Sequence, residues 1–224
     1  MHVSVTGDHK VYLDSFSKKS LSTLRRKIKK VDKSNSEERS LRVFKSKEDV
    51  SEFIEIAKAI SKVSYQEVLL GTVFRTDQEW KEQLEGLADE NRFRGYVLYV
   101  NDEAAAYNYC PVYGNGIILY DLSGYKPDFQ KYSPGTVLQH HVIAQAFSEP
   151  AFHYYDLCQG EGRHKEQFAT GSIQCCYAYI FPFNFYNLAL VGAHWLLEST
   201  SDQLVSVLDR IGIKDRIKTF IRRH

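Results

Sequence analysis

The amino-acid sequence reads as an α+β protein: a mixed, mainly antiparallel sheet flanked by helices, with a C-terminal helical extension. Three observations point there. Apolar residues recur at three- and four-residue spacing up to Asp89, change to near-alternation from Phe93, and return to helical spacing at Ser133. Most of the 15 tyrosines and 13 phenylalanines lie between Phe93 and Tyr186, and aromatic residues favour the half-buried surface of a sheet. The Ser133-Pro134 dipeptide then marks a helix start, with serine as the cap and proline at the first helical position, where its missing N–H costs nothing.

Taken in order, Lys18 to Lys33 carries Lys18, Lys19, Arg25, Arg26, Lys27, Lys29, Lys30 and Lys33 around Leu21, Leu24 and Ile28. This is a basic amphipathic helix, and its outer face is either a surface for phosphate, RNA or anionic lipid or a solvated face beside the core. Ser34 to Ser40 is polar and loop-like. Leu41 to Phe44 is a short strand. Ser46 and Asp49 have capping-box spacing ahead of a helix that aligns Val50, Phe53, Ile54, Ala57 and Ile60. Val63 to Thr76 fits neither period. Gln78 to Asp89 is a helix with Trp80, Leu84, Leu87 and Ala88 on one face.

Three strands follow, Gly95 to Val100, Ala104 to Val112 and Ile117 to Leu122, separated by Asn101-Asp102-Glu103 and by Tyr113 to Gly116. Turns this short predict an antiparallel meander in a single sheet. The helix Pro134 to Phe147 turns Val137, Leu138, Val142, Ile143 and Ala146 toward that sheet, with Gln139, His140 and Gln145 facing elsewhere. Phe152 to Leu157 is a further strand, and Gln159 to Gly162 a loop leading to His164-Lys165. Ile173 to Phe181 reads as a strand closed by Pro182, and Leu188 to Leu197 and Gln203 to Ile221 as helices packing onto the domain, with Leu204, Val207, Leu208, Ile211, Ile217 and Ile221 as the apolar stripe. The expected divisions are 1–40, the basic helix and linker; 41–182, the main domain; and 183–224, the C-terminal helices.

Composition bounds the function. A net charge of +1 argues against gripping nucleic acid with the whole surface. Cys110, Cys158, Cys175 and Cys176 form no Cys-x-x-Cys pair, so free thiols are expected, with Cys175 and Cys176 buried on opposite faces of a strand. His140 and His141 are adjacent on a helix and cannot share a face, so no metal site is expected there. The first ten residues lack the apolar core of a leader, and no apolar run approaches the roughly twenty residues of a membrane span, which predicts a cytoplasmic protein without a transmembrane segment. The free N–H groups of Gly135 and Thr136, at the positive end of a helix dipole, suit a phosphate, although the same residues make a good helix start in any protein.

Several short motifs stand in a telling order: the basic helix Leu21 to Lys30, Gly124-Tyr125 closing the meander, Tyr132-Ser133-Pro134-Gly135 opening the next helix, then Asp156, Gly160 and His164-Lys165. Together, over roughly Leu13 to Pro182, they resemble the GNAT acyltransferases, and more narrowly the acetyltransferase domain of the cellulose-biosynthesis and polysaccharide type, related to the Fem-type peptidyltransferases. In that family a further half often precedes the basic helix, with which this chain all but begins.

The resemblance implies a GNAT-like fold and an acyl-CoA-dependent N- or O-acyltransferase. Acetyl-CoA or another acyl-CoA would be the cosubstrate, without metal, and a sugar or cell-envelope precursor the acceptor. Ser133, Gly135 and Thr136 would hold the cofactor, and Tyr125 and Lys165 the acceptor. The splay of the sheet would lie between the strand ending near Tyr125 and the strand Phe152 to Leu157. Asp156 and His164 are the leading candidates for proton transfer, ahead of Glu161 and His141. Where the family has tyrosine before the lysine this chain has His164, whose imidazole either replaces the phenol or leaves the site inactive. Asp156 also reads as a turn residue at a strand end, His164 as an exposed loop histidine. The alternative is a Fem-like aminoacyl-tRNA-dependent transferase, the basic helix holding the nucleic acid, or a noncatalytic binding module of the same fold.

Overall fold

The computed structural model describes residues 1–36, 40–64, 74–114, 116–160, 162–176 and 178–210; Arg163, His164, Asp202 and residues 204–210 are described by backbone alone. The chain divides into two compact units, Met1–Ile173 and Gln174–His224.

In the first unit, strand β1 (His2–Ser4) and helix α1 (His9–Asp14) lead into the basic helix α2 (Lys18–Asp32). Strand β2 (Leu41–Phe44) and α3 (Lys47–Ser61) follow, and α3 opens with a capping box in which the Asp49 carboxylate takes the N–H groups of Lys45 and Ser46. Helix α4 (Gln78–Asp89) precedes β3 (Gly95–Val100) and β4 (Glu103–Tyr109). β3 and β4 are joined by Asn101-Asp102, both at positive φ as a two-residue hairpin turn requires. Next come β5 (Val112–Tyr113), β6 (Ile117–Leu119), β7 (Leu122–Tyr125), a 3₁₀ turn (Pro127–Tyr132), α5 (Pro134–Ser148), β8 (Tyr154–Asp156) and α6 (Arg163–Phe168).

The strands form two four-stranded sheets rather than one: β2-β3-β4-β7, antiparallel throughout, and β1-β8-β6-β5, in which β6 and β8 run parallel. The cause lies inside the segment expected to be one strand, Ile117 to Leu122. The Tyr120 N–H donates to the Asp156 carbonyl at 2.8 Å, whereas the next amide, Asp121, donates the other way to Tyr109 at 3.3 Å. The segment therefore changes neighbours at Tyr120: β6 belongs to the β8 side, β7 pairs with β4, and β7 and β8 are left unpaired with each other.

Helices α3 and α4 cover one face of the antiparallel sheet with a core of Phe44, Phe53, Phe93, Tyr107 and Tyr109. Helices α2 and α5 cover the other with Leu24, Val31, Val137, Val142 and Ile143. Helix α5 packs against both the sheet and α2, and Gln139, expected to face away from the sheet, is buried (3% exposed).

The expected strand Ile173 to Phe181 is not formed by the described residues of that stretch, and Cys175 and Cys176 are exposed. The outer edge of β8 is occupied instead by β1, in the register His2↔Asp156 to Ser4↔Tyr154, so no edge remains there for a later strand. The second unit contains helix α7 (Phe185–Arg210), continuous through the Ser199-Thr200-Ser201-Asp202 stretch where a break between two helices was expected. The Thr200 hydroxyl donates back to the Leu196 carbonyl at 2.9 Å, which satisfies it within the helix. Residues 211–221 of the second expected helix lie outside the described residues. Leu188, Val191, Trp195 and Leu197 of α7 are exposed; the side chains of the expected stripe, Leu204 to Ile221, lie outside the described residues. No described helix is long and apolar enough to cross a membrane.

Candidate functional site

A cavity of about 400 Å³ opens beside β7, the edge strand of the antiparallel sheet. Its wall comes from β4 (Tyr107, Asn108), from Tyr120, from β7 (Ser123, Gly124, Tyr125), from Gln130 and Ser64, and from the start of α5 (Ser133 to Thr136, Leu138, Gln139). Four sequence-predicted residues, Tyr125, Ser133, Gly135 and Thr136, thus share one cavity.

Backbone geometry decides what β7 offers this cavity. Lys126 donates to Ala105 at 2.9 Å in the continuation of the β4–β7 register, which makes that pair a hydrogen-bonded one. The antiparallel alternation then turns the N–H and C=O groups of Tyr125 and Ser123 away from β4, toward the opening. Gly124 lets the strand lie close to its neighbour: a Cβ there would meet the Tyr107 ring at 2.7 Å.

The start of α5 differs from the expected serine cap. Ser133 has φ 54° and ψ 52°, the left-handed region, and its side chain makes no capping bond. Its own N–H donates to Gln130 and its carbonyl accepts from Thr136 at 3.0 Å, because the residue both ends the 3₁₀ turn and begins the helix. Pro134 has no N–H, which leaves that of Gly135 as the open donor of the first turn. A Cβ on Gly135 would meet nothing within 4 Å. Neither packing nor an unusual φ therefore explains this glycine, and the space beside it is what a phosphate group at a helix N-terminus needs.

Proton carriers are placed differently. The Asp156 carboxylate accepts the Cys158 N–H at 2.8 Å, a turn role, and does not line the cavity. Lys165 lies in α6, not a loop, and its ammonium donates to the Gln159 carbonyl. His164 lies in the same helix; its side chain and Glu161 are outside the described residues. His141 is on α5 and makes no part of the wall.

Among the described residues, no side chain of the wall bears a formal charge at neutral pH. It does hold one hydroxyl pair that sequence reasoning missed: Tyr120 Oη and Ser123 Oγ are 2.8 Å apart. Burial holds the Tyr120 phenol above its ordinary value, against the opposing Ser123 hydrogen bond, so it stays protonated at neutral pH. Asn108 and Gln139 were missed as well. A signal existed: each is polar at a position where the alternation of β4 (Ala106, Asn108, Cys110) or the spacing of α5 (Gln139, Val142, Ile143) calls for an apolar residue.

A family model described as "Acetyltransferase (GNAT) domain" matches residues 18–166. No curated protein matches the chain by sequence. Among solved structures, FemX superposes with a TM-score of 0.53 at 12% identity, covering 73% of this chain and 53% of FemX. An aminoglycoside acetyltransferase from an uncultured soil metagenomic sample, in complex with sisomicin, gives 0.44 at 14% identity, covering 64% and 97%. L-PGS from Bacillus licheniformis gives 0.43 at 18% identity, covering 70% and 45%. The chain spans about half the length of FemX.

Proposed function

The chain belongs to the family of GNAT acetyltransferase domains, and from that premise we propose that it is an acyl-CoA-dependent N- or O-acyltransferase of the polysaccharide type, acting on a sugar or cell-envelope precursor. The observation that carries the reading is the cavity between β7 and the start of α5, lined by Gly135 with its open N–H and by Ser123 and Tyr125 with their outward backbone groups.

A bound acyl-CoA supplies an activated thioester carbonyl and a thiolate leaving group. The residues of this chain do the rest. Gly135 N–H and the positive end of α5 hold phosphate charge without a dedicated cation. The N–H groups of Ser123 and Tyr125 offer donors to negative charge developing on the carbonyl oxygen. In the transfer the C–S bond breaks as a C–N or C–O bond forms, the acceptor loses one proton and the thiolate gains one. Tyr120, protonated and hydrogen-bonded to Ser123, is placed to supply the second of these. Asp156 and His164 stay in the proposal as candidates for the first, with Tyr125 and Lys165 as acceptor contacts; Asp156 must release the Cys158 amide to serve.

The experiment is thermal unfolding with and without acetyl-CoA. Ligand at 100 times its Kd stabilises by about 2.7 kcal/mol, which raises Tm by roughly 5–10 °C in a domain of this size. No shift with acetyl-CoA or free CoA defeats the reading.

One observation favours a second reading, a Fem-like transferase that uses aminoacyl-tRNA. None of the eight cations of α2 and its cap Lys33 forms an ion pair among the described residues. RNA binding whose affinity falls steeply with salt would support it.

A further inference from the structure

Two fully enclosed side chains of the cavity wall have polar ends without partners. Asn108 is 1% exposed and Gln139 3% exposed. Asn108 Nδ2 donates to the Tyr155 hydroxyl at 3.3 Å, which anchors the amide, but Asn108 Oδ1 has no hydrogen-bond partner among the described residues, and neither has Gln139 Nε2. Nearly all buried polar atoms in folded proteins are paired; of the eight unpaired ones among the described residues, these two belong to residues that line one cavity, from strand β4 and helix α5. Packing does not account for them. Leucine has nearly the shape of asparagine and methionine nearly that of glutamine, and the neighbours Ala106, Cys110, Leu138 and Val142 are apolar and buried.

We infer that Asn108 and Gln139 form a recognition pair for one neutral group of the bound ligand that both donates and accepts hydrogen bonds, an amide or a hydroxyl. The inference rests on the ligand-binding reading of this cavity. Rotating either carboxamide about its last bond exchanges its donor and acceptor without moving it, so the pair matches a group able to do both. A carboxylate or phosphate offers only acceptors and would leave the Asn108 carbonyl oxygen unpaired. A purely apolar group would leave both amide ends unpaired, and sites built to hydrogen-bond a ligand reject such analogues strongly. The matching group can belong to the amide-bearing arm of CoA or to the acyl group being transferred.

The test uses the full chain and the variants Asn108→Leu and Gln139→Leu, titrated with CoA, with adenosine 3′,5′-bisphosphate, and with butyryl-CoA against 3-hydroxybutyryl-CoA. If the arm carries the group, each variant binds CoA about tenfold more weakly and the bisphosphate, which lacks the arm, equally well. If the acyl group carries it, CoA affinity is unchanged, while a wild-type preference of about tenfold for the hydroxyacyl ligand is erased. Both results support the pair. Unchanged affinity for every ligand overturns it, and so does a drop of several degrees in the unliganded Tm, which marks the amides as structural. Should the wild-type chain bind none of these ligands, the acyl-CoA reading falls by itself. The pair is then judged by the side-chain amide NMR signals of Asn108 and Gln139 on titration with N-methylacetamide: a shift upholds it, and no shift overturns it.

Discussion

Acid should destabilise this protein through a small group of covered imidazoles, well above the pH at which carboxylates titrate. His140 is lowered to about 4 by burial first and by its neighbours His141 and His9 second. His9 and His141 are lowered too, each chiefly by burial, with the Asp8 and Asp32 carboxylates pulling them the other way. The ring of His9, on α1, lies 5.7 Å from His140 and 5.1 Å from Phe147, so these imidazoles sit where α1 meets α5. The sign follows from linkage. The unfolded chain takes up a proton on His140 near the ordinary 6.5 and the folded one only near 4, so the unfolded state binds more protons between those values. Stability is complete above the unfolded value and is lost as pH falls toward the folded one. Going from pH 7.5 to 5 costs about 2 kcal/mol from His140 alone, and the whole gap amounts to about 3 kcal/mol. In a domain of this size that is a fall in Tm of roughly 4–8 °C by pH 5. The assay is thermal unfolding at both pH values for the wild-type chain and for His140→Phe, which should lose most of the dependence. NMR titration checks the cause directly: the His140 ring signal should not move between pH 8 and 5. Equal pH dependence in variant and wild type, or a ring titrating near 6.5, would refute the reasoning.

Other substitutions separate cavity from scaffold. Gly135→Val meets open space, so Tm should stay within about 2 °C, yet CoA affinity measured by calorimetry should fall about tenfold, which is about 1.4 kcal/mol. Ser133→Gly relieves a left-handed residue and should stabilise by about 1 kcal/mol, read as a rise in the denaturant midpoint. Gly124→Ala pushes a methyl against the Tyr107 ring and should cost about 1–3 kcal/mol by the same measurement. Tyr120→Phe removes the hydroxyl paired with Ser123; kcat should fall about a hundredfold with KM little changed once an acceptor is known, and unchanged turnover would remove Tyr120 as the proton source.

Much of the fold was legible because local chemistry settled it. Asn101-Asp102 fixes the β3–β4 hairpin by tolerating positive φ, and Asp49 at capping-box spacing fixes the start of α3. What could not be read is what depends on which edges are free. Whether Ile117 to Leu122 is one strand or two is decided by Asp156 accepting from the Tyr120 amide while Tyr109 accepts from the next, and Asp156 is remote in sequence. Likewise Ile173 to Phe181 has the composition of a strand, but His2 to Ser4 already holds the β8 edge it would need. A strand pattern states a propensity to pair; only the set of unoccupied partners states whether pairing occurs.

The candidate site divides along the same line. Ser133, Gly135 and Thr136 could be placed at the start of α5 because a helix start is a local event with a short signature, even though the cap is made by the Ser133 backbone and not its side chain. Asn108 and Gln139 could not be assigned a role from spacing alone, because a polar residue on a buried face acquires meaning only when its surroundings are known. Three neighbours in sequence make the point. Gln139, His140 and His141 are all covered on α5, and one reaches the cavity, while the next two sit in the group that titrates with His9. The order of these residues sets which direction each side chain leaves the helix, one hundred degrees from the last. What each then meets, the parted sheet or the N-terminal helix α1, is set by segments more than a hundred residues earlier in the chain or folded in from β4. That is why a helix with several buried polar positions is a better guide to where to look for function than any one of its motifs: each such position calls for a partner that justifies its burial.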